Sequence, residues 1–319
     1  MVGRWAPSPT GDLHLGSAAT ALLAWLSVRS QGGRLIWRIE DVDGPRSLAG
    51  MNARQMEDLD WLGLDWDEGP QQGGPNEPYR QSECDTFYIE ALRRLDQAGR
   101  IFPCNRSRKE LQNAVGTSEA GSYPRALRPS AVEPGWLDEV LDRAGTSPAV
   151  RFRVDDPPVA FRDRVHGEQV EDVGCTVGDF VLRRRDGIWA YQLAVVVDDG
   201  RQGVTEVVRG ADLLSSTARQ ILLQRALDLP TPEYAHGPVL VDSDATKLSK
   251  RHGSLSIRSL RERSVPPARI VAALARAMGI YDGSEDVRPV DLLESFDLDH
   301  LRKGCIVVSD DWLAAEALR

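Results

Sequence analysis

Lysine is nearly missing from this chain: of 39 basic lysine and arginine residues in 319, only Lys109, Lys247, Lys250 and Lys303 are lysines. Two of these four fall in one four-residue stretch, which therefore stands out against an arginine background. Cysteine is as sparse, with Cys84, Cys104, Cys175 and Cys305 far apart and no C-x-x-C pair. That spacing argues against a disulfide framework and a self-evident metal site, and single thiols are expected. No apolar run approaches the roughly 20 residues that span a bilayer. The start, MVGRWAPSPTG, lacks the basic-then-apolar layout of a signal peptide. A cytoplasmic protein with no membrane partner is the expectation. A net charge of −9 removes the basic face that nonspecific nucleic-acid binding needs, though it leaves room for a local one.

What is present is an ordinary globular composition, 41% hydrophobic, in a chain long enough for about two domains. No internal repeat or low-complexity tract interrupts it. The run SAATALLAWLSVRSQGG has apolar residues at helical spacing and ends in Gly-Gly, a helix stop. RLIWRIEDVD follows, an apolar run turning acidic, which predicts a buried strand delivering Glu40, Asp41 and Asp43 to a sheet edge. Helical patterns resume at NARQMEDLDWLGL and CDTFYIEALRRLDQAG. From 101 to 187 the character shifts to Pro, Gly and Ser punctuation with short alternating runs. There, Asp186-Gly187 between DFVLRRR and IWAYQLAVVVDD predicts a hairpin with a type I′ turn. Strand, helix and strand return with GVTEVVRG, SSTARQILLQRALDL and HGPVLV. The middle therefore looks like an insertion between two halves of one parallel sheet, and the pattern from about 260 onward is helical.

Two stretches can carry chemistry. In GRWAPSPTGDLHLGS a short strand ends at Pro7 and Pro9, Gly11 permits a tight turn, and HLGS leads into a helix whose first amides lack internal partners. Such a helix start suits an anion, with His14 as a donor and Gly16 allowing close approach. A capped helix with a surface histidine would have the same sequence. In TKLSKRHG two lysines three apart, in a loop after an apolar strand, put mobile point charges where a polyphosphate could sit. A solvated loop would also look like this.

Taken together, PSPTGDLHLGS and KLSK resemble the HIGH-type and KMSKS-type motifs of class I aminoacyl-tRNA synthetases of the glutamyl group. RIEDVD, VGDFVLRRRDGIWAYQLAVVVDD and VVRGADLLSSTARQILLQRAL match between them in order, so the resemblance runs from about residue 3 to 255. It implies an α/β fold: a Rossmann-type doubly wound parallel sheet with an inserted α+β acceptor-type domain and a short helical C-terminal part. The expected division is 1–100 and 188–258 as the catalytic halves, 101–187 as the insert and 259–319 as the helical end. Little chain follows the KMSKS-type loop, where protein-synthesis enzymes carry a large anticodon-binding part. That points to the glutamyl-queuosine tRNA(Asp) synthetase paralogues, which activate glutamate with ATP and attach it to the queuosine base of tRNA(Asp).

By similarity Arg4, Trp5, Ala6, Pro7, Ser8, Glu40, Tyr191 and Arg209 would bind glutamate, with Glu40 on the α-ammonium. Pro7, Thr10, Gly11, His14, Gly16, Ser17 and Lys250 would bind ATP, and His14, Lys247 and Lys250 would stabilise charge on the phosphates. Magnesium is expected with ATP. Asp41 and Asp43 could bind metal, but local capping is the favoured role. Arg151, Arg153 and the run Arg183, Arg184 and Arg185 could meet RNA phosphates or form a solvated strand face. These paralogues commonly bind zinc through C-x-C and Y-x-x-x-C, but here Arg106 and Leu127 stand where the second and third thiolates would be beside Cys104 and Tyr123. A guanidinium opposes a cation, so no zinc is expected. A monomer is the default. A minimal glutamyl-tRNA synthetase charging a tRNA 3′ end, a noncatalytic glutamate- or ATP-binding paralogue and a dinucleotide-forming nucleotidyltransferase are the competing readings. Intact HLGS and KLSK favour catalysis, and VVRGADLL disfavours the nucleotidyltransferase.

Overall fold

The computed structural model describes residues 1–107, 109–111, 123–143, 145–242, 244, 256–308 and 312. The chain opens as a β-α-β unit. β1 (Val2–Trp5) and β2 (Arg34–Trp37) pair in parallel, Val2 opposite Arg34 and Trp5 opposite Trp37, with α1 (Leu15–Arg29) as the crossover. The helix α1 is apolar on nearly every side, so it is covered all round rather than on one stripe. Gly3 makes the close approach possible, since a Cβ there would meet a Val28 methyl at 2.3 Å. α2 (Met51–Trp61) and α3 (Asp85–Gln97) complete this half.

The second half repeats the plan. β8 (Glu206–Gly210) and β9 (Glu233–Gly237) pair in parallel, in register from Glu206 opposite Glu233 to Gly210 opposite Gly237. A short 3-10 turn and the helix Thr217–Ala226 cross over between them. The Thr205 amide donates to the Val2 carbonyl at 2.9 Å, which sets β8 beside β1. The layer therefore reads β2-β1-β8-β9, and the two units diverge from a seam between β1 and β8. In open parallel sheets of this kind a crevice forms where the strand order reverses, at the carboxyl ends. Arg4 and Trp5 end one strand of that seam, and Arg209 and Gly210 end the other.

Between the halves lie β3 (Ile101–Cys104), α4 (Trp136–Asp142), β4 (Ala149–Phe152), β5 (Val159–Asp163), β6 (Gly167–Glu171), α5 (Val173–Thr176), β7 (Phe180–Arg183) and α6 (Tyr191–Arg201), so that Thr217–Ala226 is α7. β3, β4 and β7 form an antiparallel sheet. The hairpin β5–β6 behaves differently: Asp163 pairs in parallel with Tyr234, so this hairpin extends the layer beyond β9. The chain closes with β10 (Val239–Val241), α8 (Ile257–Glu262), α9 (Pro267–Met278) and β11 (Cys305–Val307). α9 begins on Pro267, whose missing N–H is no loss at a first helical position, and stops at Gly279 with φ +82°.

Three expectations need correction. The segment after Asp186-Gly187 is not a hairpin strand beyond a single bridge from Arg183 to Trp189; Tyr191 onward is the helix α6. The turn is a three-residue loop, closed by Arg184 and Ile188, with positive φ at Gly187 (+86°) but not at Asp186, so it is not type I′. The strand reading failed because a short apolar run such as AVVV fits a buried helix as well as a strand. The C-terminal part is not helical throughout either. β11 pairs in parallel with β10, Val239 opposite Cys305 and Val241 opposite Val307, and three residues are too few to show a period.

Candidate active site

A cavity of about 510 Å³ opens at the carboxyl ends of β1 and β8. Among its walls are Arg4, Trp5, Ala6, Pro7, Ser8, Thr10, Gly11, His14, Gly16, Ser17, Glu40, Tyr191 and Arg209, so every described residue expected in the site lies on it. Lys247 and Lys250 lie outside the described residues. Sequence separation is overcome by simple means. The parallel pairing of β1 and β2 continues past their ends, with the Arg38 amide on the Trp5 carbonyl at 3.0 Å and the Glu40 amide on the Pro7 carbonyl at 3.1 Å. Pro7 and Pro9 have no N–H to carry the ladder further, which frees the loop to turn toward α1. The Gln55 side chain, on α2, then pins that loop by donating to the carbonyls of Ser8 (3.3 Å) and Gly11 (2.8 Å).

His14 is the N-cap of α1: its Nδ1 accepts the Ser17 amide at 3.2 Å, and its Nε2 stands 3.1 Å from Ser17 Oγ. Acceptance at Nδ1 puts the ring proton on Nε2. Nδ1 thus serves the helix while Nε2, beside Ser17 Oγ on the cavity wall, holds the proton, so capping by itself does not exclude a phosphate role. Gly16 lies under the ring; a Cβ there would sit 3.3 Å from Nδ1. The close approach that Gly16 permits is that of the His14 ring itself.

At the other end the cavity is cationic. Arg4 and Arg209 are both buried. Arg209 donates Nε to His236 Nε2 (2.9 Å), and its terminal nitrogens to Gln220 (2.8 Å), Thr217 (2.9 Å), Tyr191 (3.4 Å) and the Leu213 carbonyl (3.4 Å). All these partners are neutral, and among the described residues Arg209 has no carboxylate partner. Burying a cation without an anion is costly, so a carboxylate arriving at the wall beside Tyr191 would be stabilised there. Burial pushes the Tyr191 phenol up despite Arg209.

Glu40 faces a different balance. Its carboxylate accepts from Arg38 at 3.2 Å, and Arg38 is itself held by Asp199 (2.7 Å) and Gln202 (2.9 Å). Burial raises the Glu40 carboxyl, outweighing the lowering by Arg38 and Arg4. A second cation arriving in the cavity would relieve that. Burial alone would depress the Arg38 guanidinium, but Asp199 and Glu40 push it up. Asp199 also lies 3.4 Å from Arg4 Nε.

The positions weighed for metal, Asp41 and Asp43 and the Cys104–Tyr123 pair, are held by other partners among the described residues. Both Asp41 oxygens are taken, by the Ser82 amide (2.8 Å), the Ser82 hydroxyl (2.9 Å) and Arg80 (3.0 Å), while Asp43 pairs with Arg46 at 3.3 Å. Between the two β-α-β units Cys104 Sγ faces the Tyr123 hydroxyl at 3.7 Å, in an apolar cluster with Phe102 and Leu127. Arg106 is exposed, and Arg128 makes the local ion pairs, with Asp155 and Asp179. One thiol in such a cluster does not fit structural zinc. Several of the arginines weighed for RNA are spent on packing: Arg151 lies over Tyr123 at 4.4 Å, Arg153 over Phe102 and Arg183 over Trp189, each at 5.6 Å.

The residues not foreseen are Gln55, Arg38, Asp199, Gln220, Thr217, His236 and Asp163, all supports of the cavity-lining residues. Arg38 inside LIWRI and the doubled acid closing VVVDD were the available signals, since charge is rare in an apolar run.

A two-unit parallel sheet, with a helix start capped by His14 and the buried Arg209 lining one crevice, is the plan of a nucleotide-dependent α/β domain. The family described as tRNA synthetases class I (E and Q), catalytic domain, matches residues 1–314, and the chain belongs to it. It is 45% identical to the glutamyl-Q tRNA(Asp) synthetase of Symbiobacterium thermophilum, over 99% of this chain and 98% of that one. With the glutamyl-Q tRNA(Asp) synthetase of Nitratidesulfovibrio vulgaris the identity is 46%, over 87% and 86%. A crystal structure of a glutamate tRNA ligase from Elizabethkingia meningosepticum, in complex with its amino acid, superposes with a TM-score of 0.85 at 29% identity. It covers 99% of this chain and 68% of that one.

Proposed function

We propose that this protein activates L-glutamate with ATP to glutamyl-adenylate and transfers the glutamate to the queuosine base of tRNA(Asp). The observation that carries the reading is the convergence on one cavity of the helix start capped by His14 and a buried Arg209 that has no carboxylate partner among the described residues. Arg209 with Tyr191 takes the side-chain carboxylate, Arg4 and Ser8 line the pocket, and Glu40 receives the α-ammonium. A neutral amide in place of that carboxylate would leave Arg209 uncompensated, so glutamate is preferred over glutamine.

The triphosphate lies along Thr10, Gly11, His14, Gly16 and Ser17, with the α-phosphorus toward the glutamate α-carboxylate. That carboxylate attacks in line, a P–O bond forms and pyrophosphate leaves. Positioning and charge stabilisation supply the catalysis. His14 donates from Nε2, and Lys250 with Lys247 balances charge on the departing pyrophosphate. Magnesium enters with ATP on its phosphates, and no carboxylate of this chain is assigned to it. A nucleoside hydroxyl then attacks the acyl carbon and AMP leaves, with no protein nucleophile needed.

We read 1–100 and 188–258 as the catalytic halves, 101–187 as an insert and 259–319 as the closing part, in a monomer. RNA recognition falls to the catalytic face and the insert. Charging tests the acceptor: labelled glutamate should appear on tRNA(Asp) that carries queuosine. Equal labelling of unmodified tRNA(Asp), or labelling of tRNA(Glu) instead, overturns the assignment.

A further inference from the structure

We infer that Asp163 and His236 are a positioning pair for Arg209, and that this pair, which lies behind the cavity wall, sets the preference for glutamate over glutamine. The inference rests on the reading above that Arg209 receives the substrate's side-chain carboxylate.

The geometry is a relay of three side chains. Asp163 and His236 are fully buried, and the Asp163 Oδ2 to His236 Nδ1 distance is 2.6 Å. Asp163 Oδ1 accepts the amides of Val165 (3.0 Å) and His166 (2.8 Å), so the carboxylate cannot turn away. A carboxylate only accepts, so His236 carries its proton on Nδ1. Its Nε2 is then a lone pair, and that lone pair accepts Arg209 Nε at 2.9 Å. Thr217, which accepts an Arg209 terminal nitrogen at 2.9 Å, lies 3.4 Å from the same Nε2. The arrangement holds the guanidinium by a neutral acceptor on its Nε edge, with Asp163 one ring further off. Direct contact with a carboxylate at that edge would neutralise the cation, whereas the interposed imidazole orients it and leaves its charge for the substrate.

The electrostatics agree. Burial would raise the Asp163 carboxyl, but bonds from His236 and the His166 amide hold it below the ordinary carboxylate range. Burial, with Arg209 and His166 nearby, keeps His236 below its ordinary value despite Asp163, so the ring stays neutral. Asp163 comes from β5, the hairpin strand that joins the layer beside β9, and it reaches Arg209 only through His236. The Asp163–Tyr234 pairing puts that carboxylate in the layer of β8 and β9 rather than in the β3-β4-β7 sheet.

The test is glutamate-dependent exchange of label between pyrophosphate and ATP on the full chain, comparing wild type, Arg209→Gln and Asp163→Asn. The new amide keeps an oxygen for the Val165 and His166 amides but turns an NH₂ on His236 Nδ1. That moves the ring proton to Nε2, against the Arg209 Nε–H. We expect KM for glutamate to rise by about 10-fold, with the KM for ATP and kcat at saturating glutamate unchanged and discrimination against glutamine reduced. Unchanged glutamate KM in Asp163→Asn, with Arg209→Gln crippled, overturns the inference and leaves the functional reading standing. Unchanged glutamate KM in Arg209→Gln overturns both. The wild-type protein gives a second readout that needs no variant: ¹⁵N NMR of the His236 ring should show Nδ1 protonated and Nε2 bare. A proton on Nε2 overturns the inference.

Discussion

His14 and Ser256 stand side by side, paired across an isolated antiparallel bridge, and the Ile257 amide donates to the Leu13 carbonyl at 2.7 Å. β10, whose Val239 and Leu240 line the cavity, precedes Lys247 and Lys250 in sequence, and the chain from Ser256 onward lies against the histidine on the same cavity. Arg258, just beyond, anchors that segment on α2 through Glu57 (2.9 Å) and Asp58 (3.1 Å).

Removing the ammonium should then cost chemistry rather than amino-acid binding. In Lys250→Ala the kcat of glutamate-dependent exchange is expected to fall by about 10²-fold or more, with the KM for glutamate unchanged. A rise in glutamate KM at unaltered kcat would place Lys250 at the wrong end of the cavity.

The proposed function gives His14 two separable tasks. Asparagine is as good an N-cap but lacks the Nε2 donor, so His14→Asn should keep its melting temperature while exchange falls by about 10-fold or more. His14→Ala should lose the donor and, in addition, about 1 kcal/mol of stability. Urea unfolding beside the exchange assay separates the two, and full activity in the asparagine variant would reduce His14 to a cap.

Asp58 gives the fold a pH dependence of known sign. Burial pushes its carboxyl up to about 6, although Arg258 lowers it. The folded chain keeps a proton that the unfolded chain releases, so this contribution to stability is complete below about pH 4 and is lost as the pH rises through 6. Asp58→Asn removes the titration. Its stability relative to wild type should increase by up to about 3 kcal/mol between pH 4 and pH 7 in denaturant unfolding. A constant difference across that range would contradict the assignment.

The segment around Cys104 and Tyr123 should be indifferent to zinc chelation. Cys104, Tyr123, Phe102 and Leu127 pack on one another, and Arg128 supplies the ion pairs. Purified protein treated with a strong chelator is expected to melt at an unchanged temperature. One tightly held zinc per chain in metal analysis would count against this.

The loop before α1 and the strand end at Arg209 carry local signals, whereas Arg4, Glu40, Tyr191 and Arg209 were singled out as one group by resemblance to the glutamyl-group motifs, and all of them line the cavity. The prolines and glycine before HLGS mark a loop into a helix, and VVRG marks a strand ending in a charge. Their convergence follows from parallel β-α-β topology, which brings strand ends together whatever their separation in the chain. The supports were not legible for the same physical reason in reverse. Asp163 and His236 matter only because β5 and β9 pair at Asp163 and Tyr234, and an isolated acid in AFRDRV or a histidine in YAHG carries no periodic or turn signal. The strand β11 and the helix α6 were missed where short apolar runs leave the period undecided.

The central claim, that one cavity joins a glutamate receptor to a triphosphate site, is tested most directly without RNA. Wild-type protein, ATP, magnesium and labelled pyrophosphate should yield labelled ATP when L-glutamate is added, and far less with L-glutamine. No exchange with glutamate, or equal exchange with both amino acids, would contradict it.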